Sequence, residues 1–438
     1  MPERWADRQA IFGIFWALAL LHDQVAYRFA FASVLDGALT LSAAVLLARP
    51  GNLAVMAATA VLHVSATAAR LPDVYNHAWF TSLVALALLL ACGGSGFGPR
   101  AFDAFAAAAR LCLAALYFFS GWHKLNADYF LHDTGCGAAK YLQLAKRLPF
   151  LPQSEAFLSA AAVTPVALEL ALPVVLLVRR TRPWAVIAAC AFHFALGLAG
   201  YPRFSTVSYA LLLLFVPNPR VVRIPVRFRF PMLTAIPAAG AAVAAGVLLP
   251  RTAALRIEMA LFCAYSVVLL GAALVAARRD RGEPEPAETW TAAHLALLLV
   301  VLSGLSPYLG LRTLNTFSMY SNLRVEGGTS NHFAVPAGWQ IVGWQRDMVE
   351  IESSNVPGLQ ALAGSGLAAP YEQMRAVLSR EMRAGRGPME VVYRRGGERI
   401  ETRDAARDPR LALPQPVWLW KLRVFRPVET SGARACTV

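Results

Sequence analysis

Charge is scarce in this sequence: 16% of its 438 residues are Asp, Glu, Lys or Arg, against 57% that are apolar. That balance excludes an ordinary water-soluble globule. Acid is scarcer than base, with 27 Asp and Glu facing 41 Lys and Arg for a formal net charge of +14. In one patch, such an excess would suit nucleic acid; here the basic residues are scattered through short stretches between apolar runs, so no nucleic-acid partner is expected. Cysteine is limited to six residues with no C-x-x-C, which leaves out the paired zinc and dithiol motifs. H-E-x-x-H, the P-loop and G-x-S-x-G are all missing, and with them the chemistries they carry. The glycine-rich "GGSGFG" at 93–98 lacks the strand and helix of a nucleotide fingerprint and reads as a loop. No cluster of His, Cys and carboxylates has metal-ligand spacing, so no metal is expected.

What is present is apolar length. Runs such as "IFGIFWALALL", "TSLVALALLLAC", "AVIAACAFHFALGLAG" and "LALLLVVLSGL" recur through residues 1–311, and many approach the roughly 20 residues that cross a bilayer. The pattern predicts an all-α polytopic membrane domain of about 9–11 spans over 1–311, with 35–48 and 204–217 short enough to be re-entrant or surface segments. Arg4, Arg8, the apolar core 11–21 and the small residues 30–32 imitate a signal peptide, but the polar gap after Leu21 favours an uncleaved first span. With the N-terminus in the cytoplasm, successive inner loops collect Arg49, Arg100, Arg179, Arg180, Arg182, the connector "RVVRIPVRFRF" at 220–230, and Arg278, Arg279 and Arg281. The short outer turns hold little beyond Arg28, Arg70, Arg203 and Arg251, the exception being the longer outer loop from Lys124 to Glu155. This is the positive-inside distribution. An odd number of spans then puts 312–438 outside, on the periplasmic side of a bacterium.

The tail 312–438 has a different texture. "WQIVGW" and "MVEIESS" read as strands, "YEQMRAVLSREMRAG" as an amphipathic helix, and "MEVVYRRGGERIET" as a hairpin turning on Gly396-Gly397. "VWLWKLRVF" alternates apolar and basic residues as a final strand would. A small mixed α/β extramembrane domain is expected. Its arginine excess suits anionic headgroups or an acidic partner. Cys136 and Cys436 both fall outside in this topology, where a disulfide between them is permitted; the other four cysteines sit in apolar runs as ordinary buried thiols.

Polar residues in or beside apolar spans are the functional candidates, because they are costly there. Lys124 follows the apolar run 105–122 in "YFFSGWHKLNADYF". It reads either as a snorkelling lysine paired with Asp128 one turn on, or as a desolvated, uncharged amine able to act as a base. Asn76 and His77 open a span in "LPDVYNHAWF", and the topology brings them to the same side as Lys124, Asn126 and Arg203. Glu169 in "TPVALELALP" and His193 in "AACAFHFALGL" lie deeper. An ionised Glu at that depth costs on the order of 2.5–3.5 kcal/mol, so a partner or a proton is expected. Counting at 1.5 Å per residue puts Glu169 and His193 about 10 Å apart in depth if the first helix starts at Ala156, and level only if it starts near Ala161. Pro165 and Pro173 flank Glu169 and can open the backbone locally. His22, Asp23 and His63 read as packing or proton-sharing groups.

In order along the chain, "YNHAW", "YFFSGWHKLNADYF", "LELALPVVLL" and "AFHFALGLAGYPRFSTVSYALLLL" resemble the HTTM family, whose domain is shared with vitamin K-dependent γ-glutamyl carboxylase. "FSMYSNLRVEGGTSNHF" after the last span resembles the segment that follows the membrane domain in bacterial members. The resemblance implies a quinol-dependent, carboxylase-like lyase. Its cofactor would be reduced vitamin K or menaquinol, with carbon dioxide and oxygen as co-substrates. Lys124 would be the base, with His77 beside it in the catalytic site, and Asn76, Asn126, Asp128, Glu169 and His193 would line the cofactor and proton path. Partners would be the lipid bilayer, the quinone and a protein or peptide substrate at the outer face. The alternative is a non-catalytic transporter, with Glu169 and His193 as its proton site, or a scaffold. Two departures accompany the resemblance: "ACGGSGFGPRAFDAF" has no histidine where carboxylases carry one, and the tail is much shorter than their luminal domain.

Overall fold

The computed structural model describes residues 2–26, 31–216, 251–279, 290–411, 416–429, 432 and 436. The basic connector 220–230, Arg28 and Arg281 lie outside the described residues. Among the described residues eleven α-helices precede the tail: α1 (Pro2–Ala26), α2 (Val34–Ala48), α3 (Leu53–Arg70), α4 (Asn76–Ser95), α5 (Pro99–His123), α6 (Cys136–Ala145), α7 (Glu155–Leu177), α8 (Arg182–Leu198), α9 (Pro202–Leu212), α10 (Arg251–Arg279) and α11 (Leu295–Leu309). Six stretches of the described residues are long and apolar enough to cross a membrane: Arg8–Ala26, Leu53–Arg70, Asn76–Ser95, Pro99–His123, Glu155–Leu177 and Ala292–Leu309. Three shorter apolar helices, Val34–Ala48, Arg182–Leu198 and Pro202–Phe215, pack among them. Among the described residues, therefore, fewer helices reach spanning length than the expected 9–11. Local chemistry bounds α2: Ser33 caps its start, and Asn52 accepts from Ala54 and Val55 to start α3 with only four residues between the two helices.

Helix α5 is the axis of the bundle. Its sequence "AFDAFAAAARLCLAALYFFSG" alternates small and aromatic residues, which lets neighbouring backbones come close while rings fill the gaps. It packs against α4, α7 and α11. Gly121 marks the closest approach to α7, where a Cβ would stand 3.0 Å from the Cβ of Glu169.

The two ends of the bundle differ. At one end lie the turns 49–52, 96–98 and 178–181 with Arg49, Arg100, Arg179 and Arg180; Gln9 near the start of α1 donates to Gly51 there. At the other lie 71–75, 124–135 and 199–201, and onto this end the tail docks. Arg380 pairs with Asp73 at 3.0 Å, Lys421 Nζ donates to the Ala68 carbonyl, and Cys136 is bonded to Cys436.

The tail holds β1 (Met348–Ser354), a short α12 (Pro357–Gln360), β2 (Leu367–Pro370), α13 (Tyr371–Arg383), β3 (Val391–Arg395), β4 (Glu398–Thr402), α14 (Val417–Leu422) and β5 (Val428–Glu429). The sheet order is β4-β3-β1-β2-β5, antiparallel throughout. Tyr371, Met374 and Leu378 of α13 share a core with Val349, Ile351, Val391 and Tyr393. The helix and the Gly396-Gly397 hairpin stand as the sequence suggests, with φ of 58° and 86° at the two glycines.

Two expected strands do not form. "WQIVGW" begins on a 3-10 turn, Ala337–Trp339, and its anchors are side-chain amides: Gln340 and Gln345 both donate to the Val325 carbonyl. "VWLWKLRVF" begins as α14 behind Pro416, with Trp420 buried and Lys421 reaching α3; pairing resumes only at β5. Burial of one tryptophan and a proline start outweigh the alternating pattern.

Between α11 and β1, residues 313–345 form no helix or strand beyond the 3-10 turn Ala337–Trp339. They run as a strap over the docking end of the bundle. Asn315, Phe317, Tyr320 and Asn322 all have φ between 51° and 64°, a left-handed conformation costing side-chain-bearing residues on the order of 1–3 kcal/mol each. It is held by specific bonds: Phe317 N–H donates to Asn76 Oδ1, and Cys136 N–H donates to Asn322 Oδ1.

Candidate functional site

Lys124 caps the C-terminus of α5. Side chains on a helix lean toward its N-terminus, so the lysine stem turns back into the bundle rather than out to solvent. Its Nζ meets Glu169 Oε2 at 2.5 Å, Ser120 Oγ at 2.9 Å and the Ser120 carbonyl at 3.1 Å. Those three contacts use all three donors of an ammonium. Ser120 Oγ in turn donates to Glu169 Oε1 at 2.9 Å, closing a ring of amine, hydroxyl and carboxylate. Lys124 and Glu169 are 5% and 6% exposed, so the pair is shielded from the water that would otherwise weaken it. Helix α7 runs unbroken through Pro165 and Pro173 and delivers Glu169 on its buried face; the prolines do not open it.

The remaining predicted residues are distributed around this pair, not gathered on it. Asp128 does not pair with Lys124; its Oδ2 accepts from Asn331 Nδ2 of the strap at 3.0 Å. The reason is local: Asn126 is extended (φ −145°, ψ 157°) and starts a 3-10 turn, so the four-residue spacing of a continuous helix is lost. Asn126 is a structural clasp. Its Oδ1 accepts from Tyr129 N–H, and its Nδ2 donates to the carbonyls of His123 and Ser321. Asn76 clasps the strap from the other side through Phe317.

His77 belongs to a second cluster, with Nε2 at 2.9 Å from Asp23 Oδ1. The neighbouring His22 bonds Thr206 and Glu258, and Arg203 lies 3.5 Å from the same glutamate. His22 and Asp23 thus tie α1 to α4, α9 and α10 through side-chain hydrogen bonds. His193 does not reach Glu169, because α7 starts at Glu155 and Glu169 is taken by Lys124; His193 Nε2 instead meets Tyr117 OH at 2.7 Å. Tyr117, Ser120 and Lys124 stand at i, i+3 and i+7 on α5, one face of the helix. That spacing was the sequence signal for Ser120 and Tyr117, which residue-by-residue scanning passes over.

Above the pair sits an aromatic and imidazole collar that the sequence did not single out. Trp122 stacks on Phe118 and lies against His332, and His123 and His332 both contact Tyr308. His332 Nε2–H donates to the Trp122 carbonyl at 2.9 Å, while Nδ1 accepts from the N–H groups of Ala334 and Val335. Burial pulls its pKa below the ordinary range, partly offset by the Trp122 bond, and the two accepted bonds require the neutral ring. Burial likewise pushes the Tyr129 hydroxyl well up, so it stays protonated. Among the described residues no three His, Cys, Asp or Glu side chains are grouped as metal ligands. Comparison of the chain with protein-family models, with curated proteins and with solved structures finds no match.

Proposed function

We propose that the chain is a multi-pass membrane protein of the HTTM type, related to the membrane domain of vitamin K-dependent γ-glutamyl carboxylase, in which Lys124 and Glu169 manage the proton of a reduced quinone. One observation carries the reading: a buried amine shares a 2.5 Å contact with a carboxylate at the tail-bearing end of the bundle. The orientation follows from charge and redox chemistry. The arginine-bearing end faces the cytoplasm, and the Cys136–Cys436 bond suits the oxidising side.

The donor set fits a hydroquinone. With its proton on the nitrogen, Lys124 has no donor to spare. Moving that proton along the contact to Glu169 gives a neutral amine with a free lone pair and a carboxylic acid beside it. The movement costs no net charge in a dry site. Ser120 holds both partners through the exchange. Phe118 and Trp122 supply flat apolar walls, and Phe118 is half exposed on the outside of the bundle, where an apolar ring system would arrive from lipid. When bound, the reduced quinone, with oxygen and carbon dioxide as co-substrates, supplies the driving force for removing a weakly acidic C–H proton that no amine could remove alone. The strap over the collar keeps water from the reacting groups.

A second reading, a proton-coupled transporter, is favoured by one feature: the Lys124–Glu169 and Tyr117–His193 contacts lie on the same face of α5. Lipid extraction of the purified protein followed by mass spectrometry separates the two. Retained quinone supports the first reading. Its absence, with proton-coupled uptake lost in Glu169→Gln, supports the second.

A further inference from the structure

Helix α11 ends at Leu309, and Gly310 follows in the left-handed conformation (φ 79°) with the Val342 carbonyl where a Cβ would stand. Only glycine makes that reversal without strain. The reversal throws Arg312 back along α11, so that its Nη2 donates to Ser303 Oγ, nine residues earlier, at 2.8 Å. The guanidinium lies over the ring of Trp79 on α4, with Cζ 4.8 Å from the ring centre, and Trp79 Nε1 donates to the same hydroxyl at 3.2 Å. Ser303 Oγ donates its own proton to the Leu299 carbonyl.

Arg312 is 8% exposed, and its position differs from that of three other largely buried arginines. Arg426 has Glu326, Arg423 has Glu372, and Arg182 has the carbonyls of Leu176 and Leu177. Among the described residues Arg312 has one hydroxyl and one aromatic face, and no carboxylate. Burial draws its pKa down to about 10, with no charged neighbour acting on it, which leaves it cationic at neutral pH. Among the described residues its other guanidinium nitrogens have no protein acceptor, and they are not among the atoms sealed from solvent. A buried, uncompensated cation whose free donors reach the surface is costly for a fold to keep. Such a group is explained if it meets an anion that comes and goes.

We propose that Arg312, Ser303 and Trp79 form a binding site for a carboxylate-bearing small molecule at the tail-bearing end of the bundle. A single guanidinium balances a monoanion, whereas a dianionic phosphate would leave net charge buried. The planar fork matches a carboxylate with two parallel N–H bonds. Trp79 covers one face of the guanidinium, so the carboxylate meets its edge. The site does not rest on the quinol reading, because neither Lys124 nor Glu169 contributes to it.

The test uses the full-length protein in phosphatidylcholine nanodiscs, with thermal unfolding followed as sodium acetate or sodium octanoate replaces sodium chloride at constant ionic strength. Wild type is expected to gain stability saturably. At about 100 times the dissociation constant, the folding equilibrium shifts about 100-fold. Acetate response identifies a water-soluble acid, and response to octanoate alone identifies an acid on an acyl chain. Arg312→Met should fold with an unchanged or higher midpoint and lose the response, because the neutral side chain removes an uncompensated charge. Arg312→Lys keeps the charge without the fork and should respond several-fold more weakly. The proposal is overturned if neither salt outperforms chloride on wild type, or if Arg312→Met responds equally. Failure of Arg312→Met to fold would also overturn it, since that would give the guanidinium a structural partner.

Discussion

Replacing Lys124 by methionine keeps most of the unbranched stem and removes the charged nitrogen. In the folded protein Glu169 Oε2 then loses its one short contact, and Oε1 keeps only the Ser120 hydroxyl. A carboxylate this deeply buried has no water to turn to. Breaking a buried ion pair from one side costs about 3–5 kcal/mol, so Lys124→Met should destabilise by that amount, and so should Glu169→Leu with Lys124 intact. Replacing both together removes both desolvation penalties. The double variant should be neutral or more stable than wild type by about 1–4 kcal/mol, far from the sum of the singles. Reversible unfolding in mixed micelles with increasing denaturing detergent, across all four proteins, measures the coupling directly. If Lys124→Met costs less than about 1 kcal/mol, or if the double variant is the sum of the singles, the amine and the carboxylate do not share a dry contact.

Gly121→Ala places a Cβ 3.0 Å from Glu169 and Leu170. It should cost about 1–3 kcal/mol in the same assay through overpacking between α5 and α7. His332 gives a pH dependence with a definite sign. Its folded pKa is depressed, so its contribution is complete above the unfolded value of about 6.5 and is lost as pH falls through the folded value. Proteolysis of 313–335, normalised to an unfolded reference peptide, should therefore rise between pH 7.5 and 5.5 and stay flat in His332→Gln; faster cleavage at the higher pH would contradict it. Cys136 and Cys436 should resist alkylation in mass spectrometry until reduced, and Cys136→Ser should free Cys436 to react. Alkylation of both without reductant would show that the tail is not tethered.

Much of the architecture was legible because apolar length and periodicity are strong signals. Helix α13, the Gly396-Gly397 hairpin and strand β1 announced themselves by pattern, and the cysteine pair was permitted by compartment. Lys124 and Glu169 were both visible as costly polar groups. Their partnership was not. Lys124 stands at the end of an apolar run, but its stem leans back along α5 toward Ser120 and meets Glu169 there. The Asp128 pairing failed for the opposite reason: helical spacing was extended past the point where Asn126 becomes extended. "VWLWKLRVF" alternates like a strand, but Pro416 starts a helix there and Trp420 is buried on it. The strap is the hardest case. Four left-handed, side-chain-bearing residues have no sequence signature; they are set by contacts with Asn76, Cys136 and the Lys124 loop, which lie far along the chain.

Oxygen-dependent oxidation of menaquinol by the reconstituted protein, compared between wild type, Lys124→Met and Glu169→Gln, tests the central claim most directly. The acid–base role predicts turnover by wild type and a loss of about 100-fold to 10,000-fold in Lys124→Met, as for removal of a general base. It also predicts a clear loss in Glu169→Gln, whose amide accepts a hydrogen bond but not the proton. Full turnover in Lys124→Met, or quinol oxidation by none of the three proteins, would contradict it.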